Sequence, residues 1–155
     1  MTAHQDISGA LFTQLYIFLS EKPGKVYHAP FDVRLFGDGD EETTVVQPDI
    51  VVILNKEKID EKGCNGAPDL LIEILSPSTA RHDKVRKFNQ YRLAGVREYW
   101  IVDPDKKSLS VHVLGNGAYV TMEYCERDTV PVHVLEGCVI RLPDVFVGSF
   151  LDAAH

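Results

Sequence analysis

Residues 69–75 read Asp-Leu-Leu-Ile-Glu-Ile-Leu, an apolar stretch interrupted by one carboxylate, Glu73. In a β-strand alternate side chains share a face, so Leu70, Ile72 and Ile74 form one apolar face and Glu73 points the other way. A carboxylate inside a sheet costs roughly several kcal/mol unless a cation or a hydrogen-bond donor compensates. The stretch therefore predicts either a core strand that carries a functional acid or an edge strand on which Glu73 faces water.

A second carboxylate is needed if Glu73 is to hold a metal ion. Asp69 is on the same strand but roughly 13 Å away, at about 3.3 Å per residue, which is too far to share one ion. Asp49 follows Pro48 at the start of another apolar run, and antiparallel pairing of the two strands would set Asp49 beside Glu73. Because Mg²⁺ usually takes one or two carboxylates and keeps several waters, the pair predicts a Mg²⁺ or Mn²⁺ site. An aspartate after proline is also typical of a strand start bonded to local amides.

A helix is predicted over residues 79–94, directly after the Glu73 strand. Its predicted inner edge comprises Val85, Phe88 and Tyr91. Lys87 could reach back over the strand end, where an ammonium group would orient water and offset charge on a phosphorane. The simpler alternative is an i,i+4 ion pair between Lys87 and Asp83.

The same helix carries a local cluster of positive charge. The formal net charge of −7 argues against indiscriminate nucleic-acid binding. Within the helix, however, Arg81, Lys84 and Arg86 collect in one short stretch, where we predict contacts to backbone phosphates, with Lys84 as a substitute for Lys87 in the site. The alternative is an ordinary solvated helix face.

The remaining chain predicts one domain over residues 1–155, since 155 residues with 45% hydrophobic content suffice for one core. The predicted elements are an amphipathic helix over 7–19, antiparallel strands over 26–36 and 44–54, a polar stretch over 55–67, a strand over 98–102, and a β-rich tail with strands over 108–113, 119–124, 131–134 and 138–142. The three cysteines lack disulfide or zinc spacing, and no segment reaches membrane-spanning length. These features predict a cytoplasmic protein.

Three motifs follow one another along the chain, and the string that ends the third is specific. They are Pro48-Asp49, the run from Ala67 to Ser78, and Asp83-x-x-x-Lys87-x-x-x-Tyr91 leading to Glu-Tyr-Trp-Ile-Val-Asp-Pro at 98–104. Together they resemble the Uma family of restriction-endonuclease-like proteins, within the PD-(D/E)XK nuclease superfamily. The resemblance is dense over 46–104 and weaker up to 147. It implies an α+β fold in which a helix, a three-stranded meander, a second helix and a closing strand follow in the order found above.

The resemblance also assigns roles to residues. It places the two acidic metal ligands of the superfamily on Asp49 and Glu73. The usual E-x-K lysine position is Leu75 here, so the resemblance assigns the lysine role to Lys87 on the helix. Relatives usually carry an additional segment before the first helix, so the N-terminus is expected to be short.

The function implied is Mg²⁺- or Mn²⁺-dependent hydrolysis of DNA phosphodiester bonds by an endonuclease. A catalytically inactive binding or assembly module with the nuclease fold is the alternative, favoured by the acidic net charge and by Leu75. His4 and Gln14 fall where accessory active-site groups are expected. A homodimer would place two sites on a duplex, with Trp100 and the apolar tail strands as the expected interface.

Overall fold

The computed structural model describes residues 2–39, 44–76 and 81–147, without the side chains of 81–83. The strands are β1 (Lys25–His28), β2 (Val33–Arg34), β3 (Val45–Val46), β4 (Ile50–Ile53), β5 (Ile59–Asp60), β6 (Gly63–Asn65), β7 (Leu70–Ile74), β8 (Glu98–Asp103), β9 (Ser108–Gly115), β10 (Ala118–Cys125), β11 (Thr129–Pro131) and β12 (Val139–Arg141). The helices are α1 (Thr2–Leu19), α2 (Arg81–Ala94) and α3 (Leu142–Val145).

A mixed six-stranded sheet forms the centre of the molecule, with strand order β1-β4-β7-β8-β9-β10. β1, β4 and β7 are the predicted antiparallel meander, and β8 pairs with β7 in parallel. Two parallel neighbours need a crossover connection, which α2 supplies. Because its crossover role fixes α2 beside β7 and β8, side chains of the helix can reach the end of β7.

The two faces of this sheet bury separate apolar clusters. Leu70, Ile72 and Ile74 pack on the α1 side, which confirms the predicted apolar face of residues 69–75. The stripe predicted for the first helix is confirmed as well, and its buried members are Ile7, Leu11, Leu15 and Leu19. On the opposite face, Leu71 packs with Tyr91 of α2, so both faces of β7 are covered. Glu73 therefore lies on a core strand and not on an edge.

A second sheet of four strands, with order β3-β2-β6-β5, was not predicted. Each of the two long strands predicted over 26–36 and 44–54 divides between the main sheet and this small sheet. β1 pairs with β4 in one sheet and β2 pairs with β3 in the other, so the predicted antiparallel arrangement holds in both. Pro48 lies between β3 and β4. Because proline has no N–H, it cannot continue the hydrogen-bond ladder of a strand. The stretch over 55–67, predicted only as a polar stretch, supplies β5 and β6.

Several local predictions were wrong. Val85 was placed on the inner edge of α2 but is 65% exposed, whereas Tyr91 of the same predicted edge is fully buried. Trp100 is completely buried and cannot form the predicted dimer interface. The last tail strand ends at Arg141, and α3 follows it where strand was predicted to continue to residue 142.

Glu98 is a fully buried carboxylate that ties the tail to the main sheet. The Trp100 indole Nε1 donates to its Oε2 at 2.7 Å, and the backbone N–H of Val134 donates to its Oε1 at 3.0 Å. Burial raises the pKa of Glu98, while these donors oppose the rise. Both oxygens are thus satisfied, as a buried carboxylate requires.

His112 on β9 is a buried histidine. Its Nδ1 pairs with Thr121 Oγ1 at 2.7 Å. The rings packed around it are those of Phe88, Tyr99 and Tyr119. Burial lowers the pKa of His112; of the charged groups near it, Glu123 on β10 raises that pKa and Lys84 on α2 lowers it.

None of the helices in the described part of the chain has the length and hydropathy that a membrane span requires. All three cysteines are free thiols, as their spacing predicted.

Candidate active site

The register between β4 and β7 brings the two predicted carboxylates together. Ile50 pairs with Ile72 in the antiparallel ladder, and the same register continued by one residue places Asp49 opposite Glu73. Residues directly opposite each other in an antiparallel pair project from the same face. Asp49 is also close enough to raise the pKa of Glu73. The predicted juxtaposition of the two acids is therefore present in the structure.

Glu73 receives two side-chain partners from α2. The Tyr91 hydroxyl donates to Oε1 at 2.8 Å, and the Lys87 ammonium lies 3.4 Å from Oε2. Lys87 and Tyr91 are four residues apart and therefore share one face of the helix. The Glu73 side chain is 14% exposed and that of Lys87 is 34% exposed, so the ion pair lies at the rim of the core.

Burial dominates the electrostatics of Glu73 and raises its pKa above the usual range. The Lys87 ammonium and the Tyr91 hydroxyl lower the pKa, whereas the neighbouring Asp49 carboxylate raises it. The balance remains unfavourable to the charged form. A second positive charge beside the two acids would relieve both the burial cost and the repulsion from Asp49.

Asp49 is held at the beginning of β4 by contacts from two directions. The backbone N–H of Ile74 donates to Oδ2 at 2.7 Å, which fixes the carboxylate against the end of β7. His4 of α1 approaches Oδ1 with its Nε2 at 3.2 Å. The two side chains are 28% and 17% exposed for His4 and Asp49, respectively. His4, expected from the sequence to be an accessory group, thus contacts one of the two acids.

The donor set fits a hard divalent cation that retains much of its water. Over residues 2–39, 44–76 and 81–147, no group of three or more His, Cys, Asp or Glu side chains is arranged to hold a metal ion. Mg²⁺ does not need such a cage, since it commonly binds through one or two carboxylates and completes its shell with water and substrate phosphate. Asp49 and Glu73 are the residues that would hold Mg²⁺ or Mn²⁺ here.

The other residues predicted for the site are exposed, lie outside the described part or pair with a different residue. Lys84 and Arg86 are exposed on α2, and the side chain of Arg81 is outside the described part. The predicted Asp83–Lys87 ion pair also involves an undescribed side chain. Gln14 pairs with the backbone of Arg141. Its side-chain Nε2 donates to the carbonyl of Arg141, and its Oε1 accepts from the N–H of that residue.

Two features of the site were missed or could not be decided from sequence. Tyr91 was predicted only as an apolar residue of the inner edge, although its i,i+4 spacing from Lys87 was a usable signal. Leu75, at the usual lysine position, is half-buried and packs against the α2-side cluster. Lys87 contacts Glu73 from the helix, as the resemblance implied.

The crystal structure of a "putative nuclease belonging to DUF820", from Anabaena variabilis ATCC 29413, is similar to this chain with a TM-score of 0.73 and 19% sequence identity. The similarity covers 93% of this chain and 80% of that one. The fold is accordingly an α+β fold of the restriction endonuclease-like class.

The sequence profile of the Uma2 family, described as "Putative restriction endonuclease", matches residues 1–143. The chain belongs to the Uma2 family, which confirms the resemblance drawn from the motifs. A search of curated proteins gave no match.

Proposed function

We propose that this protein is a metal-dependent endonuclease that hydrolyses phosphodiester bonds in DNA. The observation that carries the proposal is the placement of Asp49 opposite Glu73 with the Lys87 ammonium 3.4 Å from Glu73 Oε2. The description of the Uma2 family and the similarity to the Anabaena variabilis protein, itself described as a "putative nuclease", support the same activity.

The three side chains have separable roles in the proposed reaction. Asp49 and Glu73 would hold Mg²⁺ or Mn²⁺, and a bound ion would supply positive charge to polarise the scissile phosphate and to acidify water. Lys87 is the flexible member, since its stem allows Nζ to leave Glu73 and face the substrate. There it orients the attacking water and offsets the negative charge that develops on the phosphorane.

Substrate binding is proposed to use the exposed cations of α2. Arg81 is the first residue of α2, and Lys84 and Arg86 both come shortly before Lys87 on the helix. Contacts from these residues to backbone phosphates would fix the register of the duplex without reading its sequence. The overall charge of −7 disfavours DNA binding spread over the whole surface.

Cleavage assays with Mg²⁺ or Mn²⁺ on single- and double-stranded DNA test the activity. The variants Asp49→Ala, Glu73→Ala and Lys87→Ala should each abolish cleavage while the protein stays folded. Asp69→Asn is the matched control, because Asp69 is a carboxylate on the same strand face that instead pairs with Arg97. A variant of the three that still cuts removes its residue from the mechanism. No cleavage by the wild type on any DNA, with either metal, would favour the inactive binding module.

The phosphate contacts have their own test. Lys84→Ala/Arg86→Ala should weaken DNA binding and reduce the slope of log K against log salt by about 1.8, at about 0.9 per phosphate contact on duplex DNA. Lys106→Ala/Lys107→Ala removes two exposed lysines from the turn between β8 and β9 and should leave the slope unchanged. Equal slopes for both pairs would assign DNA binding to another surface.

Cutting both strands of a duplex requires two sites, and we propose a homodimer as their source. Since Trp100 is buried, another surface has to form the contact. Sedimentation over a hundredfold range of concentration tests the dimer, and a monomer throughout would exclude it.

A further inference from the structure

The four carboxylate oxygens of the candidate site differ in the kind of donor that each one meets. One oxygen of each acid meets a buried, fixed group, and the other meets a side chain that is partly in water. Glu73 Oε1 accepts from Tyr91, which is completely buried, whereas Oε2 faces Lys87, which is 34% exposed. Asp49 shows the same division between the backbone N–H of Ile74 and the partly exposed His4.

The exposed partners are the ones that can leave. Lys87 has a long flexible stem, and its 3.4 Å contact with Oε2 is longer than a usual charge-assisted hydrogen bond. A cation and its waters arriving from solvent would therefore replace Lys87 at Oε2. They would not replace the hydroxyl of Tyr91, which lies inside the core.

Tyr91 has little freedom to leave Oε1. Its ring packs edge-on against Tyr99 with the centroids 4.8 Å apart and the planes at 79°. The hydroxyl is the donor in its 2.8 Å hydrogen bond to Oε1, since an ionised carboxylate can only accept. A rigid donor on one oxygen fixes the rotation of the carboxylate about its terminal bond.

We propose that Tyr91 is a positioning residue for the metal site, whose hydroxyl retains Glu73 Oε1 and thereby presents Oε2 to the cation as a single-oxygen ligand. The proposal rests on the proposed function, since it assumes that Asp49 and Glu73 bind the metal. Groups that hydrogen-bond to metal ligands typically contribute about 10- to 100-fold in metal affinity.

Titration of Mn²⁺ into the whole protein by calorimetry, without DNA, tests the role. Tyr91→Phe should weaken Mn²⁺ binding about 10- to 100-fold. Tyr119→Phe is the matched control: it removes a partly buried hydroxyl in the same aromatic cluster, one that donates to the carbonyl of Val96 at 2.7 Å. A merely structural effect would appear in both variants, whereas the positioning role predicts unchanged Mn²⁺ affinity in Tyr119→Phe.

A second measurement uses the wild type, so that it does not depend on the folding of a variant. NMR of selectively labelled protein follows the Lys87 ¹⁵Nζ and the Tyr91 ¹³Cζ signals as Mg²⁺ is added. The Lys87 signal should shift on saturation and the Tyr91 signal should stay nearly unchanged. A large shift at Tyr91 with none at Lys87 overturns the proposal.

The outcomes separate the inference from the function beneath it. If the wild type binds Mn²⁺ and Tyr91→Phe binds it equally well, the positioning role is wrong and the metal site stands. If the wild type shows no saturable binding of Mn²⁺, the metal site itself is wrong, and the positioning role fails with it.

Discussion

Replacing Glu73 by glutamine should make the metal-free protein more stable while it destroys the metal site. The substitution keeps the shape of the side chain and removes its charge. Burial raises the pKa of Glu73, which means that the folded state disfavours the carboxylate relative to a neutral group at that position. At pH 7.5 and without metal, Glu73→Gln should therefore increase the free energy of unfolding.

The size of the increase is a small difference between larger contributions. The attraction to Lys87 at 3.4 Å amounts to at most about 5 kcal/mol with an effective dielectric constant of about 20, and solvent screens it further because Lys87 is partly exposed. Desolvation of a buried carboxylate costs roughly several kcal/mol, and repulsion from Asp49 adds to that cost. The raised pKa shows that the costs exceed the attraction. We expect a net gain of about 1 kcal/mol, within the range usual for relief of an unfavourable functional group.

Urea denaturation at pH 7.5 measures the stability of both proteins without and with the metal ion. With EDTA present, Glu73→Gln should be the more stable protein. With Mg²⁺ at about 100 times its dissociation constant, the wild type should gain about 2.7 kcal/mol and the variant almost nothing, so the order of stability reverses. Glu123→Gln, a substitution of an exposed glutamate on β10, is the control and should change either value by less than about 0.5 kcal/mol.

Two results would refute this reasoning. A lower stability of Glu73→Gln in EDTA would mean that the carboxylate stabilises the fold through its contacts with α2. Equal stabilisation of both proteins by Mg²⁺ would mean that the cation binds away from Glu73.

Three further predictions concern the fold around the site. Burial lowers the pKa of His112, so the folded protein takes up a proton there at a lower pH than the unfolded chain, whose histidines titrate near about 6.5. Urea denaturation at pH 7.5 and 5.5 should therefore show a smaller loss of stability in His112→Phe than in the wild type, and equal losses would contradict this. Glu98→Ala should cost about 3 kcal/mol, since it leaves the Trp100 indole N–H and a backbone N–H buried without an acceptor; an unchanged melting temperature would be the contrary result. Gly63→Ala should lower stability by about 3 kcal/mol in urea denaturation, because a Cβ at a φ of 125° would lie 2.1 Å from the carbonyl oxygen of Asp32; a change below about 0.5 kcal/mol would show that the small sheet yields easily.

The parts of the fold that could be predicted are those in which a repeating pattern faces a core. The alternation over residues 69–75 located β7 and its buried face, and the three-and-four spacing located α1. The pairing of Asp49 with Glu73 followed because an antiparallel register opposes those positions once the two apolar runs are neighbours. In these places the local pattern and the tertiary contact impose the same constraint.

The small sheet could not be predicted, because a strand pattern does not state which sheet the strand joins. Val33 and Val46 are apolar and β-branched like Val26 and Val52, which pair in the main sheet, yet Val33 and Val46 pair with each other in the small sheet. The prediction that Val85 lies on the inner edge of α2 was wrong as well. Helical periodicity placed it with Phe88 and Tyr91, but it lies 65% exposed.

The lysine on α2 illustrates how a fold can keep a site while changing the element that supplies one of its groups. The parallel pairing of β7 with β8 requires a crossover, and the crossover helix lies beside Glu73 whatever residue occupies position 75. A helix face offers two positions four residues apart, so Lys87 arrives together with Tyr91 and each donor takes a different oxygen of Glu73. A lysine on the strand could supply the ammonium group but not the buried hydroxyl. The helical arrangement therefore combines a movable cation with a fixed donor, and the titration of Tyr91→Phe with Mn²⁺ separates their contributions.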